Sequence, residues 1–190
     1  MKTVNIVMSG LGGQGILFMT KVLAQAALDK GYKVLGAETH GMAQRGGSVI
    51  SHLRLGEVEN TLVRNGTAHF LLSLDENEGY RNLPFLAPKS ELVVNTASSA
   101  YPREEVKPFL SKKKITSRAV PAAAIARKMG APQSTNLVLL GYFSAFGKGP
   151  VSHEDLRRTI EKISPERVRE INLKVFEAGF EKGQEDRQGK

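Results

Sequence analysis

Apolar and polar positions in the first forty residues fall into three blocks. Val4 to Met8 is a continuous apolar stretch ending in Ser9 and Gly10, the pattern of a strand buried on both faces of a parallel sheet, and it is expected at the sheet's centre. After a run of glycines, Ile16, Met19, Val22, Leu23, Ala26 and Ala27 recur at helical spacing, and Gly31 stands where a left-handed C-terminal cap belongs. Lys33 to Thr39 supplies a second strand. The chain therefore opens β-loop-α-β, a unit whose crossover is nearly always right-handed.

Beyond it the period changes. The segment from His40 to Ser48 has no helical periodicity, whereas Val49, Ser51, Leu53 and Leu55 alternate with Ile50, His52 and Arg54, which predicts a loop feeding a half-exposed strand. His69 to Leu74 reads as a strand, Asp75 to Leu86 as a short helix, Leu92 to Asn95 and Ile115 to Val120 as further strands, and Pro121 to Met129 as a helix with proline at its start. Asn136 to Phe146 is apolar almost all round, a helix that belongs in the core or under a partner. The tail predicts two helices: Ser152 and Asp155 stand close to a capping box ahead of Leu156, Ile160 and Ile163, and Ser164-Pro165 restarts the chain. Val168, Ile171, Val175 and Ala178 then continue, with Phe176 and Phe180 as a second apolar edge that can exceed what one domain covers. The fold class read from this order is α/β: a Rossmann-like, mostly parallel sheet flanked by helices, with C-terminal helices. One domain is expected over residues 1–182, with 183–190 as a disordered tail.

Composition changes this picture in three places. The 190 residues suffice for one core, and no apolar run approaches the ~20 residues of a membrane helix. The first ten residues lack the architecture of a signal peptide, so the expectation is a cytoplasmic protein without membrane contact. Zero cysteines exclude disulfides and thiolate ligation of an iron–sulfur cluster or zinc by this chain; no metal site is expected. The net charge of +8 lies upstream of residue 151, since the remainder carries nine basic and nine acidic groups. Arg103 to Lys128 holds eight Lys/Arg against two acids, including Lys112, Lys113 and Lys114. That patch reads either as a solvated loop between elements or as a surface for an acidic partner or phosphates. Without interleaved aromatics or a binding motif, nucleic acid is not an expected partner.

Candidate chemistry clusters in two glycine-rich segments. Gly10, Gly12 and Gly15, with Gly13 and Gln14 between, fit G-x-G-x-x-G at a strand-to-helix turn, where backbone N–H groups and the helix N-terminus favour an anion. Glu38 follows roughly 20 residues later, where dinucleotide folds place a ribose-binding acid. The same glycines also serve a tight turn with close helix–strand packing, and the residues alone leave both readings open. The second segment, Glu38 to Gly47, gathers Glu38, His40, Gln44, Arg45, Gly46 and Gly47 at the end of a predicted strand, where open α/β sheets place their ligand crevice. Arg45 could grip a carboxylate or phosphate at two points, with the glycines admitting a backbone or cofactor, or it could be an arginine in an exposed turn. His40 lacks a nucleophile in an activating context and reads first as a hydrogen-bonded structural residue. No thiamine-type GDG…NN pair, H-E-x-x-H or G-x-S-x-G occurs, so no residue is assigned as catalytic.

Gly12-Gly13-Gln14-Gly15, followed by Glu38-x-His40-Gly41-Met42-Ala43-Gln44-Arg45-Gly46-Gly47-Ser48-Val49, closely resembles the gamma-type module of the 2-oxoacid:ferredoxin oxidoreductases. Within that family the longer motif is most similar to the members acting on indolepyruvate; pyruvate, 2-oxoglutarate and 2-oxoisovalerate relatives are the alternatives. Ser51 to Arg54, Asn136 to Gly141 and Glu170 to Gly179 also look like this family, so the likeness spans nearly the whole chain. The resemblance implies a division of labour. Thiamine diphosphate with magnesium on a large partner subunit decarboxylates the 2-oxoacid, iron–sulfur clusters there pass electrons to ferredoxin, and coenzyme A takes the acyl group. The present chain binds no cofactor alone; its GGQG turn and His40 to Gly47 loop face the partner and its cofactor or coenzyme A. The competing expectation is a free-standing Rossmann nucleotide-binding module using Gly10, Gly12, Gly15 and Glu38. A homodimer of the isolated chain is left open.

Overall fold

A computed structural model describes residues 2–40 and 46–189. The expected site residues Gln44 and Arg45, and the side chain of His40, lie outside the described residues. In chain order the elements are β1 (Val4–Leu11), α1 (Ile16–Asp29), β2 (Val34–His40), β3 (Ser48–Leu55), β4 (Ala68–Ser73), α2 (Glu76–Arg81), β5 (Leu86–Asn95), α3 (Lys107–Lys113), β6 (Thr116–Val120), α4 (Ala122–Lys128), α5 (Thr135–Ser144), α6 (His153–Ile163) and α7 (Glu166–Gln188). The strands form one sheet in the order β2-β3-β1-β4-β5-β6. β1, β4, β5 and β6 pair in parallel, while β3 runs antiparallel to both of its neighbours. Five strands therefore point one way, and β1 is central.

Strand alternation divides the core into two layers. Ile6 and Met8 of β1 and Val93 of β5 join α1, α4, α5, α6 and α7 on one face. Val7, Leu71, Leu92 and Val94 meet Leu83, Leu110 and Ile115 on the other, under α2 and α3. The larger layer is organised by α5, of which Leu137, Val138, Leu139, Leu140, Tyr142 and Phe143 are all buried. At about 1.5–3 kcal/mol per side chain, this helix alone contributes on the order of 10 kcal/mol, an upper-end figure because the unfolded chain is partly collapsed. Of the two placements expected for it, the structure shows the core.

α5 and α7 approach backbone to backbone. A Cβ on Gly141 would lie 2.0 Å from the Phe176 carbonyl oxygen, one on Gly179 2.1 Å from that of Val138, and one on Gly183 2.5 Å from Ala145 Cβ. Helix glycines forgo roughly 1 kcal/mol each against alanine, and here the return is contact that no larger residue permits. Buried polar groups fix the register: Ser134 Oγ donates to Asn172 Oδ1 (2.9 Å), and Asn172 Nδ2 donates to Ser164 Oγ (3.1 Å).

Several expectations need correction. Residues 183–188, expected in a disordered tail, are helical: α7 continues to Gln188, with Gly183 packed into α5 and Tyr142 Oη donating to Asp186 at 2.8 Å. β3 alternates as expected, with Val49, Ser51, Leu53 and Leu55 buried and Ile50 and Arg54 partly exposed, and departs from that pattern only at His52. His52 is buried, accepts the Val63 N–H at its Nδ1 (3.3 Å) and meets Phe85 edge-on, while Arg54 reaches Asn60. β5 begins at Leu86, earlier than its apolar core suggested. The lysine-rich stretch contains α3, which buries Leu110 and closes at Lys114 in the left-handed conformation (φ 55°). The expected left-handed Gly31 (φ 82°) and the Ser152–Asp155 capping box are both present. Burial opposes ionisation of Asp155, but hydrogen bonds from Ser152 and Lys30 outweigh it and hold the carboxyl well below the usual carboxylate range.

Two stability predictions follow from this packing. Gly141→Ala or Gly179→Ala should cost at least about 2 kcal/mol in urea unfolding, against the small gain expected from helix propensity alone. Burial lowers the pKa of His52 and of His69, whose Nδ1 accepts the Asn5 N–H. The unfolded chain therefore takes up protons first, and stability should fall as pH drops from about 6.5 through the lower folded values. A His52→Gln/His69→Gln double variant should show a flatter urea midpoint between pH 7.5 and 5.5.

Candidate functional site

The GGQG turn sits where β1 delivers the chain to α1, at the carboxyl edge of the sheet. Because β3 is antiparallel, it starts at this same edge, and Gly46 and Gly47 lie beside the turn. The Gly12 N–H donates to the Gly47 carbonyl at 2.8 Å, and the Gly46 N–H donates to that of Gly12 at 3.4 Å. Gly13, Gly15 and Gly46 hold positive φ of 95°, 83° and 74°, a region open to glycine at little cost. Gly12–Gly15 and Gly46–Gly47 thus form a double ridge of backbone.

Side-chain amides brace that ridge from below. Gln14 folds back: its Oε1 accepts the Leu11 N–H at 2.7 Å and its Nε2 donates to the Leu74 carbonyl at 3.3 Å. This requires Gly10, where a Cβ would come within 2.6 Å of Gln14 Oε1. Asn95 Nδ2 donates to the same Leu74 carbonyl (3.0 Å), and Asn95 Oδ1 accepts the Ala123 N–H (2.9 Å). The ends of β1, β4 and β5 and the head of α4 are thereby tied together. Asn136, the second residue of α5, donates from Nδ2 to the Gly15 carbonyl at 2.9 Å, and a Cβ on Gly15 would stand 2.7 Å from that nitrogen. On the other side the Ser48 hydroxyl donates to Glu78 Oε2 at 2.6 Å; Glu78 is buried on α2, with Arg81 at 3.5 Å from its other oxygen. Asp75 caps α2 by accepting the N–H groups of Asn77 and Glu78.

This arrangement differs from a nucleotide-binding loop in two respects. Gln14 and the Gly12 N–H are engaged within the protein. Glu38 is exposed on β2 and pairs with Ser51 of β3, which in turn pairs with Met8 of β1. The inserted β3 sets Glu38 two strand spacings from β1, roughly 10 Å, instead of the adjacent position a ribose-binding acid requires. Among the described residues no group of three or more His, Cys, Asp or Glu is placed to hold a metal ion. No helix among them is long and apolar enough to cross a membrane. Asn95 and Glu78 were missed because each lies far in sequence from the ridge it braces, and neither carries a local motif. Asn136 was visible only as part of a family-like segment.

What the fold and site define is an α/β domain presenting a hydrogen-bonded double-glycine ridge at the carboxyl edge of its sheet. The chain belongs to the pyruvate ferredoxin/flavodoxin oxidoreductase family, whose profile matches residues 5–182. It is 34% identical over 187 residues to indolepyruvate oxidoreductase subunit IorB of Methanothermobacter thermautotrophicus, covering 93% of this chain and 95% of that one. It is 36% identical over 199 residues to IorB of Thermococcus kodakarensis, covering 97% and 98%. The fold matches the crystal structure of a keto/oxoacid ferredoxin oxidoreductase gamma subunit from Geobacter sulfurreducens, with TM-score 0.73, 24% identity and coverage of 95% and 98%.

The brace makes a testable claim. Asn136→Ala should leave the Gly15 carbonyl with the Met19 N–H as its one remaining donor and cost about 0.5–1.5 kcal/mol. Asn136→Asp, which sets acceptor against acceptor, should cost more. Amide exchange at Gly12 to Ile16 should quicken in both; unchanged exchange there would show that Asn136 does not hold the turn.

Proposed function

We propose that this chain is the cluster-free subunit of a 2-oxoacid:ferredoxin oxidoreductase acting on an aryl pyruvate of the indolepyruvate type. In that assembly a 2-oxoacid and coenzyme A become an acyl-CoA and carbon dioxide, while two electrons leave to ferredoxin. The single observation that carries the reading is the preformed ridge of Gly12–Gly15 and Gly46–Gly47, braced by Gln14, Asn136 and the Ser48–Glu78 pair. A surface fixed before binding loses little further conformational entropy when a partner or cofactor docks, and its glycines allow close approach. The names borne by the IorB relatives support the aryl substrate class.

The residues of this chain do not fit the redox groups of such an enzyme. It has no cysteine for an iron–sulfur cluster and no thiamine-binding motif, so thiamine diphosphate, magnesium and the clusters are assigned to a large partner subunit. This chain's part is positional. It holds Gly10, Gly12, Gly13, Gln14 and Gly15, together with the loop carrying His40, Gln44, Arg45, Gly46 and Gly47, against the partner's cofactor face or against coenzyme A. Glu38, exposed at the start of that loop, is assigned to the same face as a contact residue. A cytoplasmic setting and a single functional domain over residues 1–182 complete the proposal.

Co-expression with a large thiamine- and cluster-bearing subunit should give viologen dye reduction that depends on indolepyruvate and coenzyme A, with none from either chain alone. Turnover by this chain alone would end the proposal. In the reconstituted enzyme, Arg45→Ala should raise the KM for coenzyme A if the loop touches it. A weakened assembly at unchanged KM would instead assign the loop to the partner chain.

A further inference from the structure

The two edges of the sheet are built differently. β6 is five residues long, carries Arg118 and is flanked by Tyr101, Pro102 and the end of α7; short length, charge and overlying chain are the means by which edge strands avoid further pairing. β2 has none of them. Its seven residues include no proline and no lysine, and its register with β3 is unbroken from Val34 to His40. Gly36, Glu38 and Thr39 are exposed, Leu35 and Ala37 are half-buried, and among the described residues no strand pairs with the outer side of β2.

The backbone direction follows from one hydrogen bond. The Lys33 carbonyl accepts the Gly56 N–H at 2.9 Å, so Lys33 turns its backbone groups toward β3. Along a strand these groups alternate sides; Leu35, Ala37 and Thr39 therefore also face β3, and Val34, Gly36 and Glu38 hold their N–H and C=O outward. A second copy related by a twofold axis at Gly36 satisfies all three, with Gly36 opposite its equivalent and Val34 opposite Glu38 at each end. Leu35 then opposes Ala37 twice, which gives two apolar cross-strand pairs on one face. The other face is the one on which Val34 joins the core layer of α1. There Leu17 and Leu28 of α1 are 47% and 51% exposed, and at about three turns' separation they project within about 20° of each other. Asp29 and Lys30, which straddle the opposite side of the helix, reach Lys162 and Asp155 of α6. The two leucines thus look away from α6, past β2.

Charge selects both the occupant and the register. Lys33 and Glu38 cancel, so this edge is neutral on a chain that carries +8, and two copies can meet along it without the repulsion that opposes their contact elsewhere. With the axis at Gly36, Glu38 lies beside Val34 of the other copy and Lys33 beside Thr39, each charge next to an uncharged residue. Moving the axis to Ala37 would set Glu38 diagonal to its own equivalent, within reach of a long side chain, and like charges across a seam destabilise it. We propose that the chain self-associates through β2, two copies pairing antiparallel about Gly36 so that their six-stranded sheets become one continuous sheet. The inference does not rest on the proposed enzymatic role.

In sedimentation of the full chain, the mass should rise from the 20.7 kDa monomer at ~1 μM toward twice that at ~100 μM. Over the same range, amide exchange at Val34, Gly36 and Glu38 should slow by more than about tenfold while β6 amides are unaffected. Ala37→Lys sets a cation diagonal to Lys33 of the other copy and should leave a monomer with its thermal midpoint retained. Should that variant fail to fold, disulfide pairing decides, because the chain has no cysteine of its own. Leu35→Cys mixed with Ala37→Cys should oxidise to a linked dimer, since the two positions face each other at a non-hydrogen-bonded pair, and neither variant should link to itself. A monomer throughout the concentration range, cross-links within either single variant, or β2 protection that appears only when a large thiamine-bearing subunit is added would each overturn the proposal.

Discussion

The close contact of α5 with α7 through Gly141, Gly179 and Gly183 is the constraint on which the remaining architecture depends. It lets two helices meet at backbone distance, so that α5 lies flat between the sheet and α7 with its apolar residues covered on every side. An alanine at any of the three would gain helix propensity of about 1 kcal/mol and lose a larger amount to overlap. Together with the Ser134–Asn172 hydrogen bond, it keeps the start of α5 where Asn136 reaches the Gly15 carbonyl. The link from tail helix to glycine turn is therefore mechanical: α7 sets α5, and α5 sets the turn.

The ridge is held by hydrogen bonds among its described residues. Its glycines are not idle spacers, because Gly10 makes room for the Gln14 amide and Gly15 makes room for that of Asn136. Each polar group nearby answers another: Gln14 and Asn95 share the Leu74 carbonyl, and Ser48 meets a buried Glu78. Such satisfied networks specify one geometry because any displacement leaves buried donors or acceptors unpaired. Under the proposed division of labour, with electrons and carbanion chemistry on another chain, constancy of shape matters more here than a reactive group. The antiparallel β3 serves the same end by returning the chain to the carboxyl edge, so that two distant glycine segments become neighbours.

What the sequence determined by itself was whatever is local or periodic. The buried central strand, the first helix with its Gly31 cap, the apolar α5, the capping box at Ser152 and the break at Ser164-Pro165 follow from spacing and backbone preference, which neighbouring residues suffice to express. The absence of cysteine and the two glycine segments were equally plain, and the long motif pointed to the family before any coordinates. Only the tertiary structure decided how those pieces meet. The insertion of β3 between β1 and β2 sets Glu38 two strands from β1, and the chain around Val63 covers His52, which alternation had left to solvent. The order of the last turns of α7 comes from contacts with Tyr142 and Ala145, some forty residues away in the chain. The roles of Gln14 and Asn136 as braces rest on partners from other elements. A polar side chain looks the same in sequence whether it will face a ligand or a carbonyl, and the fold decides which by the acceptors it brings within reach.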